Sequence, residues 1–514
     1  LHSADSASRS DARGDGGLDV GLLSPVTAGR EEPVADEAVL AALVAAEVAL
    51  IEAYAAVGGL DGATDRAAVL SEARELRVED PRALALAGVA GGNPVIPLVK
   101  QLRRTAGPAV RRWVHRGATS QDILDTALMI VAKDAVGHVL AGLDATADAL
   151  GRFAREHRDQ AAAARTLTQH AVPTTVGLRG ANWLRPVERA RARLAAARDA
   201  LPAQLGGAGG TLASFAEILG PDRAARLPAA LAEAAGLAAP EAPWHTARWP
   251  VTELGDALVQ VLDALGMLAA DVATLSRTEI GELAERTGGG SSAMPQKQNP
   301  AVSVLIRSAA IRAPHLGATL HTAAALAVDE RPDGAWHAEW PTLRELLRLA
   351  LGASAHAAAL AEGLRVDSEA VARNLAATRG LIVSERLSIV LTPILGAEKV
   401  SEIVRTAALG GDLALLTHSA LAAVDGAAPL ALDDLLDPAA YTGLAGRLVD
   451  GDLVDGAPDA PAAEEPTAAA AEHAVPGPYD PFDEGAALPP PRPRSRGFDP
   501  FADPFRDSAG EDDQ

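Results

Sequence analysis

The chain has no cysteine among its 514 residues. That excludes disulfides, thiolate zinc sites and a cysteine nucleophile. Aromatic residues are scarce too, 3% of the total, although apolar residues make up 48%. Alanine and leucine carry the apolar content, which favours helices packed through small side chains over a β-sandwich. The long hydrophobic stretches around 255–275 and 345–362 are interrupted by Asp, Glu or Arg, so no membrane span is expected. The first residues, LHSADSASRSDARGDGG, lack the apolar core of a secretory signal, and the expected compartment is the cytoplasm. Basic residues are outnumbered, 46 against 68 acidic, and the net charge of −22 speaks against nucleic acid as a partner. Motifs for a metal, a flavin or a nicotinamide are absent as well, so no cofactor is expected.

What is present is helical pattern. Residues 1–32 read as a disordered leader, and 33–113 as an N-terminal helical domain opened by AVLAALVAAEVALIEAYAAVGGL. From 114 to 363 the pattern is of long helices joined by short loops: Ser120 to about Arg158, then 180–200, 211–236, 251–285, 300–328 and 339–363. This predicts an all-α fold with an elongated central bundle. A smaller helical domain follows over 364–451. The segment 452–514 holds 12 of the 34 prolines and has 15 acidic against 4 basic residues, and reads as a disordered acidic tail. It repeats Asp-Pro-Phe at Asp480-Pro481-Phe482, Asp499-Pro500-Phe501 and Asp503-Pro504-Phe505. A solubilising extension is the preferred reading, and a docking motif for an unknown partner the sharper one.

Three segments carry chemistry. GGGSSAMPQKQNP, Gly288 to Pro300, breaks the helical pattern with three costly glycines and sets Ser291, Ser292, Met294 and Lys297 on a mobile loop. Asn299-Pro300 reads as the start of the next helix, with Asn299 as N-cap. HRGATSQDILDT at 115–126 places Thr119 and Ser120 where the long helix begins, an end whose free N–H groups suit a carboxylate. RTLTQHAVPTTVG at 165–177 offers Thr166, Gln169 and His170.

Together these resemble the fumarase/aspartase superfamily: its G-S-S-x-M-P-x-K-x-N-P loop, its H-x-G-x-T-S-x-D segment and its T-x-x-Q-x-A-x-P-T-T-x-G segment. The resemblance spans about 37–450 and implies a three-domain fold with a long central bundle. It also implies a homotetramer whose active sites collect the three motifs from different subunits. By resemblance Ser291 exchanges a proton with the carbon beside a carboxylate, and Lys297 and Asn299 stabilise the enolate-like intermediate. The serine needs such neighbours, because an isolated hydroxyl is a poor acid and a poor base.

Adenylosuccinate and argininosuccinate lyases carry a histidine directly after the first Thr of the segment at 165–177. Here Leu167 stands there, and a histidine follows the glutamine instead, at His170. That exchange resembles the 3-carboxy-cis,cis-muconate cycloisomerase branch, as do GNPVIPLVK at 92–100, PWHT at 243–246 and GAWHAEW at 334–340. The implied reaction adds a carboxylate oxygen to a C=C bond to form a γ-lactone, with a small tricarboxylate as substrate. Its carboxylates would meet Lys297, Arg248, His115, His170, Thr119, Ser120, Thr166 and Gln169, with Ser292 and Met294 beside them. His245, His337 and Glu339 become candidates for the pocket wall. The rival readings are an adenylosuccinate-type or argininosuccinate-type C–N lyase and a non-enzymatic lyase-derived scaffold with an Asp-Pro-Phe docking tail.

Overall fold

A computed structural model describes residues 20–60, 65–78, 80–286, 289–290, 294, 297–424 and 430–451. Ser291 and Ser292, the leader up to 19 and the whole 452–514 segment lie outside the described residues.

The fold opens with α1 (Asp36–Ala56) and three short helices, α2 (Arg66–Ala73), α3 (Pro81–Gly88) and α4 (Val95–Thr105). Next comes α5 (Ser120–Glu156), at 37 residues the longest described element. At 1.5 Å per residue it runs for about 55 Å. A hairpin of β1 (Ala161–Thr166) and β2 (Gln169–Thr175) follows, and then α6 (Val176–Asp199). The stretch expected as one helix over 211–236 is three pieces: α7 (Ala213–Leu219), α8 (Pro221–Ala224) and α9 (Leu227–Ala235). Gly220 stops the first with φ +78°, and Pro221 restarts the chain at the first turn of the next. Helix α10 (Trp249–Leu275) ends ten residues before the expected 285, and the chain crosses through β3 (Leu283–Ala284). Then come α11 (Ala301–Ala325), α12 (Gly334–Glu362) and β4 (Arg365–Val366), which pairs with β3.

Helices α5, α6, α10, α11 and α12 pack side by side as the central bundle. Its buried residues are mostly Ala, Leu and Val, among them Ala132, Leu143, Leu194, Leu258, Leu265, Ala309 and Leu346. Small side chains allow such helices to approach closely, which is how a sequence poor in aromatics fills a core. The residues after β4 form α13 (Ser368–Ala376), α14 (Ser384–Leu395), α15 (Ala397–Ala408), α16 (Leu413–Ala422), α17 (Leu432–Leu436) and α18 (Ala445–Asp450). Most build a second, smaller core around Ile382, Leu387, Leu391, Val400 and Ile403, to which Ala163 of the hairpin contributes.

One expectation needs correcting. Among the described residues α1, α5 and α10 are long and apolar enough, by length and composition, to cross a bilayer. The alanine content raises their hydropathy despite the interrupting charges. Their apolar residues, such as Leu50, Val136 and Leu262, are fully buried in the core.

Candidate active site

The first motif is built where the chain enters α5. His115 has φ +56° and Gly117 φ +79°, so the segment turns sharply before the helix. The unusual His115 backbone is held by Glu47, a fully buried carboxylate of α1. Glu47 accepts the His115 backbone N–H at 2.8 Å and lies 2.7 Å from its Nδ1. Tyr54, whose hydroxyl donates to the Arg116 carbonyl at 2.8 Å, packs with Trp113 and Phe215 beneath the turn. A side chain at Gly117 would meet the Phe215 ring at 2.9 Å, so the turn needs that glycine. With Nδ1 occupied, the His115 Nε2 has no partner among the described residues.

Helix α5 begins with a capping arrangement in which the Thr119 backbone N–H donates to Asp122 at 2.9 Å. Asp122, fully buried, also accepts from the Gly206 and Gly207 N–H groups at 2.8 and 3.0 Å and lies 2.9 Å from His245 Nε2. Four donors on one carboxylate lock the glycine-rich 206–210 loop and His245 onto the start of the helix. His245 is therefore a buried anchor, and its Nδ1 has no hydrogen-bond partner among the described residues.

Arg248 corrects the sequence reading. Its guanidinium is sealed between two carboxylates, Asp125 at 2.7 and 3.1 Å and Glu339 at 2.7 to 3.2 Å, over the face of Trp244. Only 1% of its side chain is exposed. Every strong donor direction is used inside the protein, so Arg248 is not available to a substrate carboxylate. Glu339 is the other half of this ion pair, not a wall of an open pocket. Burial raises its pKa above the ordinary glutamate value, against the opposing pull of Arg248. His337 is structural as well, because its ring nitrogens lie 3.1 Å from the Asp333 carbonyl and 2.9 Å from that of Gly92. It ties α12 to the GNPV turn.

A cation that the sequence reading missed stands at the α5 end instead. Arg331 donates to Thr119 Oγ1 at 2.7 Å and to the Ala208 carbonyl at 3.1 Å. Among the described residues it makes no ion pair, and its buried Nε has no acceptor. No motif marks it; only the fold brings residue 331 next to residue 119.

The second motif forms the β1–β2 hairpin. Thr166 pairs with Gln169, so Leu167 and Thr168 form a two-residue turn. Both lie in the left-handed region, φ +47° and +72°. Such turns favour Asn-Gly, and a leucine followed by a β-branched residue is strained there. Leu167 is 96% exposed. Thr166 and Gln169 are exposed as well, and His170 is half-buried opposite Arg165. Burial and the neighbouring Arg165 and Arg179 lower the His170 pKa below the usual histidine range, against the pull of Glu282.

In the third motif Gly289 and Asn299 exchange two backbone hydrogen bonds, 2.8 and 2.9 Å, that close the base of the loop. Lys297 and Met294 are exposed, and the Lys297 N–H donates to the Met294 carbonyl. Asn299 is not the expected N-cap, because α11 starts at Ala301 after Pro300. Glu285 caps it from before the loop, accepting from the Val302 and Ser303 N–H groups at 3.0 and 2.8 Å.

Two groups emerge. His115, Thr119, Ser120 and Arg331 gather at the start of α5, while the hairpin follows its far end. Glu282, shortly before the loop, bonds to Arg165 of the hairpin, so the second and third motifs share the far end. Two cavities of about 610 and 640 Å³ among the described residues lie elsewhere, against α1, α2 and α4, and contain no motif residue.

Residues 48–314 match the Lyase family. The chain belongs to that family, within the fumarase/aspartase superfamily. It is an enzyme of this superfamily with its all-α fold. It is 46% identical to nitrosuccinate lyase of Streptomyces davaonensis over 84% of this chain and 94% of that protein. It is 41% identical to 3-carboxy-cis,cis-muconate cycloisomerase of Pseudomonas aeruginosa over 80% of this chain and 90% of that protein. The crystal structure of 3-carboxy-cis,cis-muconate lactonizing enzyme from Pseudomonas putida superposes with a TM-score of 0.75. That match has 35% identity and covers 84% of this chain and 98% of the other.

Proposed function

We propose that the chain adds a carboxylate to, and eliminates it from, a carbon–carbon double bond, interconverting 3-carboxy-cis,cis-muconate and 4-carboxymuconolactone. The observation that carries this is Leu167 at the exposed tip of the hairpin, where the C–N lyases place a histidine. Leucine has no proton to give. An amine leaving group needs one; a carboxylate departs as a stable anion and needs none. In the lactonising direction the ring C–O bond forms as the Ser291 hydroxyl gives its proton to the carbon beside the neighbouring carboxylate. In reverse Ser291 takes that proton, and the C–O electron pair leaves with the carboxylate. Lys297, Asn299 and His170 stabilise the enolate-like intermediate. The substrate carboxylates are held by the α5 N-terminus with Thr119 and Ser120, by His115 Nε2 and by Arg331, which takes the place Arg248 cannot fill.

The site is completed by other copies of the chain, with the start of α5, the hairpin and the loop brought together from different subunits of a homotetramer. A helix about 55 Å long separates the groups within one chain, far more than a small tricarboxylate spans. Mixing a Thr119→Ala/Ser120→Ala variant with a Ser291→Ala variant should therefore restore activity that neither has alone.

A second reading is elimination of nitrite from nitrosuccinate. The 46% identity to the Streptomyces enzyme favours it. Nitrite too leaves unprotonated, so Leu167 fits both. Purified protein is assayed with 3-carboxymuconate, nitrosuccinate, adenylosuccinate and argininosuccinate. Loss of carboxymuconate absorbance supports the first reading and nitrite release the second. Fumarate from adenylosuccinate, or full turnover by Ser291→Ala, overturns both; no turnover on any substrate favours the scaffold.

A further inference from the structure

Glu282 belongs to none of the three motifs, yet it is 1% exposed and carries an unusual load. Its carboxylate accepts from Arg165 of β1 at 2.6 and 3.3 Å, from Arg179 of α6 at 2.8 Å and from Asn374 of α13 at 2.9 Å. Asn374 also donates to the Ile280 carbonyl at 2.8 Å, and Arg179 reaches the Ala163 carbonyl of β1. The Glu282 backbone is fixed as well: its N–H donates to Leu275 at the end of α10 and its carbonyl accepts from Asp367 before α13. One side chain thus grips the hairpin, the bundle and the C-terminal helices, three residues before the Glu285 that caps α11 behind the loop.

We infer that Glu282 is a positioning residue for the reaction, setting the His170-bearing hairpin at a fixed place against α6, α13 and the end of α10. The inference rests on the reaction proposed above. A buried carboxylate that only neutralised its neighbours would need one cation. Here two guanidiniums converge on it from different elements, and an amide joins from a third. Arg165 faces His170 directly across the ladder, so whatever sets Arg165 sets His170. Arg165 and Arg179 both act on that imidazole, with Glu282 as the carboxylate that opposes them there. Asp271 faces Arg179 from α10 but makes its hydrogen bond with Trp183. Burial opposes the charge on Glu282, but its bonds to Arg165 and Asn374 and the charge of Arg179 prevail and hold it ionised below the ordinary glutamate range.

The test uses Glu282→Gln and Glu282→Asp in the full chain, with the imidazole titration of His170 followed by NMR and assigned by its loss in His170→Gln. Removing the negative charge leaves both arginines acting on His170, so its midpoint in Glu282→Gln should fall below that of wild type. The kcat for 3-carboxymuconate should fall roughly 10²-fold with KM little changed, the cost of a misplaced catalytic group. Glu282→Asp keeps the charge but shortens the reach, so it should restore the midpoint and only part of the rate. An unmoved midpoint together with near-wild-type kcat overturns the inference. A moved midpoint with full turnover in His170→Gln would instead overturn the role given to His170, which separates the two failures. If Glu282→Gln does not fold, Asn374→Ala carries the test, since it releases one grip and leaves every charge in place. A lower kcat with an unmoved His170 midpoint then supports the inference, and unchanged kcat overturns it.

Discussion

Replacing Arg248 by methionine separates a substrate-binding arginine from a structural one. In the fold its guanidinium makes five hydrogen bonds of 2.7 to 3.2 Å to Asp125 and Glu339. Arg248→Met leaves both carboxylates buried without their cation. Asp125 keeps Trp336 Nε1 at 2.8 Å and Gln121 Nε2 at 3.1 Å as donors. Glu339 keeps no side-chain donor among the described residues, and burial already favours its protonated form. Breaking a buried pair costs about 3–5 kcal/mol. The remaining Asp125 bonds and the ready protonation of Glu339 place the loss near the lower end, roughly 3 kcal/mol. The sign of the pH dependence follows. A carboxyl whose folded pKa is raised is most stabilising below its unfolded pKa, and that stability is lost as pH rises through the folded pKa. The Arg248→Met deficit should therefore shrink in mild acid and grow in mild alkali, and Glu339→Gln in the same background should flatten that slope. Urea unfolding midpoints at matched protein concentration, across that pH range, check it. An unchanged midpoint with a large rise in KM would contradict this account and return Arg248 to the substrate.

Arg331→Ala should do the reverse, leaving the unfolding midpoint nearly unchanged while raising KM on the order of 10- to 100-fold, since a hydrogen bond to a charged group is worth roughly 1.5–3 kcal/mol; steady-state kinetics beside a melting curve decide it. Thr168→Gly relieves a left-handed β-branched residue at φ +72° and should stabilise the chain by about 1 kcal/mol, read as a higher unfolding midpoint. Removing residues 452–514 should leave kcat/KM nearly unchanged; a collapse would mean that this segment completes the site.

What sequence could reveal depended on how far apart the partners stand. The start of α5 was legible because Thr119 and Asp122 make the cap between themselves. Its long run to Glu156 was legible from helical periodicity. The break at Gly220-Pro221 was also written locally, but the surrounding apolar pattern read as continuous helix. Arg248 was misread because its partners, Asp125 and Glu339, lie 123 and 91 residues away. Before folding, nothing distinguishes an arginine that will be sealed from one that will meet substrate. Arg331 and Glu282 were missed for the same reason, since each acquires meaning from a neighbour more than 90 residues distant.

The same separation bears on the reaction. Ser291 belongs to the loop whose base, Gly289 with Asn299, lies at the Glu282 end of the bundle, and the carboxylate-binding groups His115, Thr119 and Arg331 lie at the start of α5. A rigid helix cannot shorten to bring these together. Nor does the chain spend its polar groups at either end on burying them. Among the described residues His115 keeps Nε2 open, Arg331 has no acid, and Thr166, Gln169 and Lys297 face outward. In the proposed assembly, open polar groups at both ends of a stiff bundle are what several copies need when each brings part of a site to the others. Assembly and catalysis are then one property, and the variant that loses subunit contact should lose turnover in proportion, at a protein concentration where its helices remain folded.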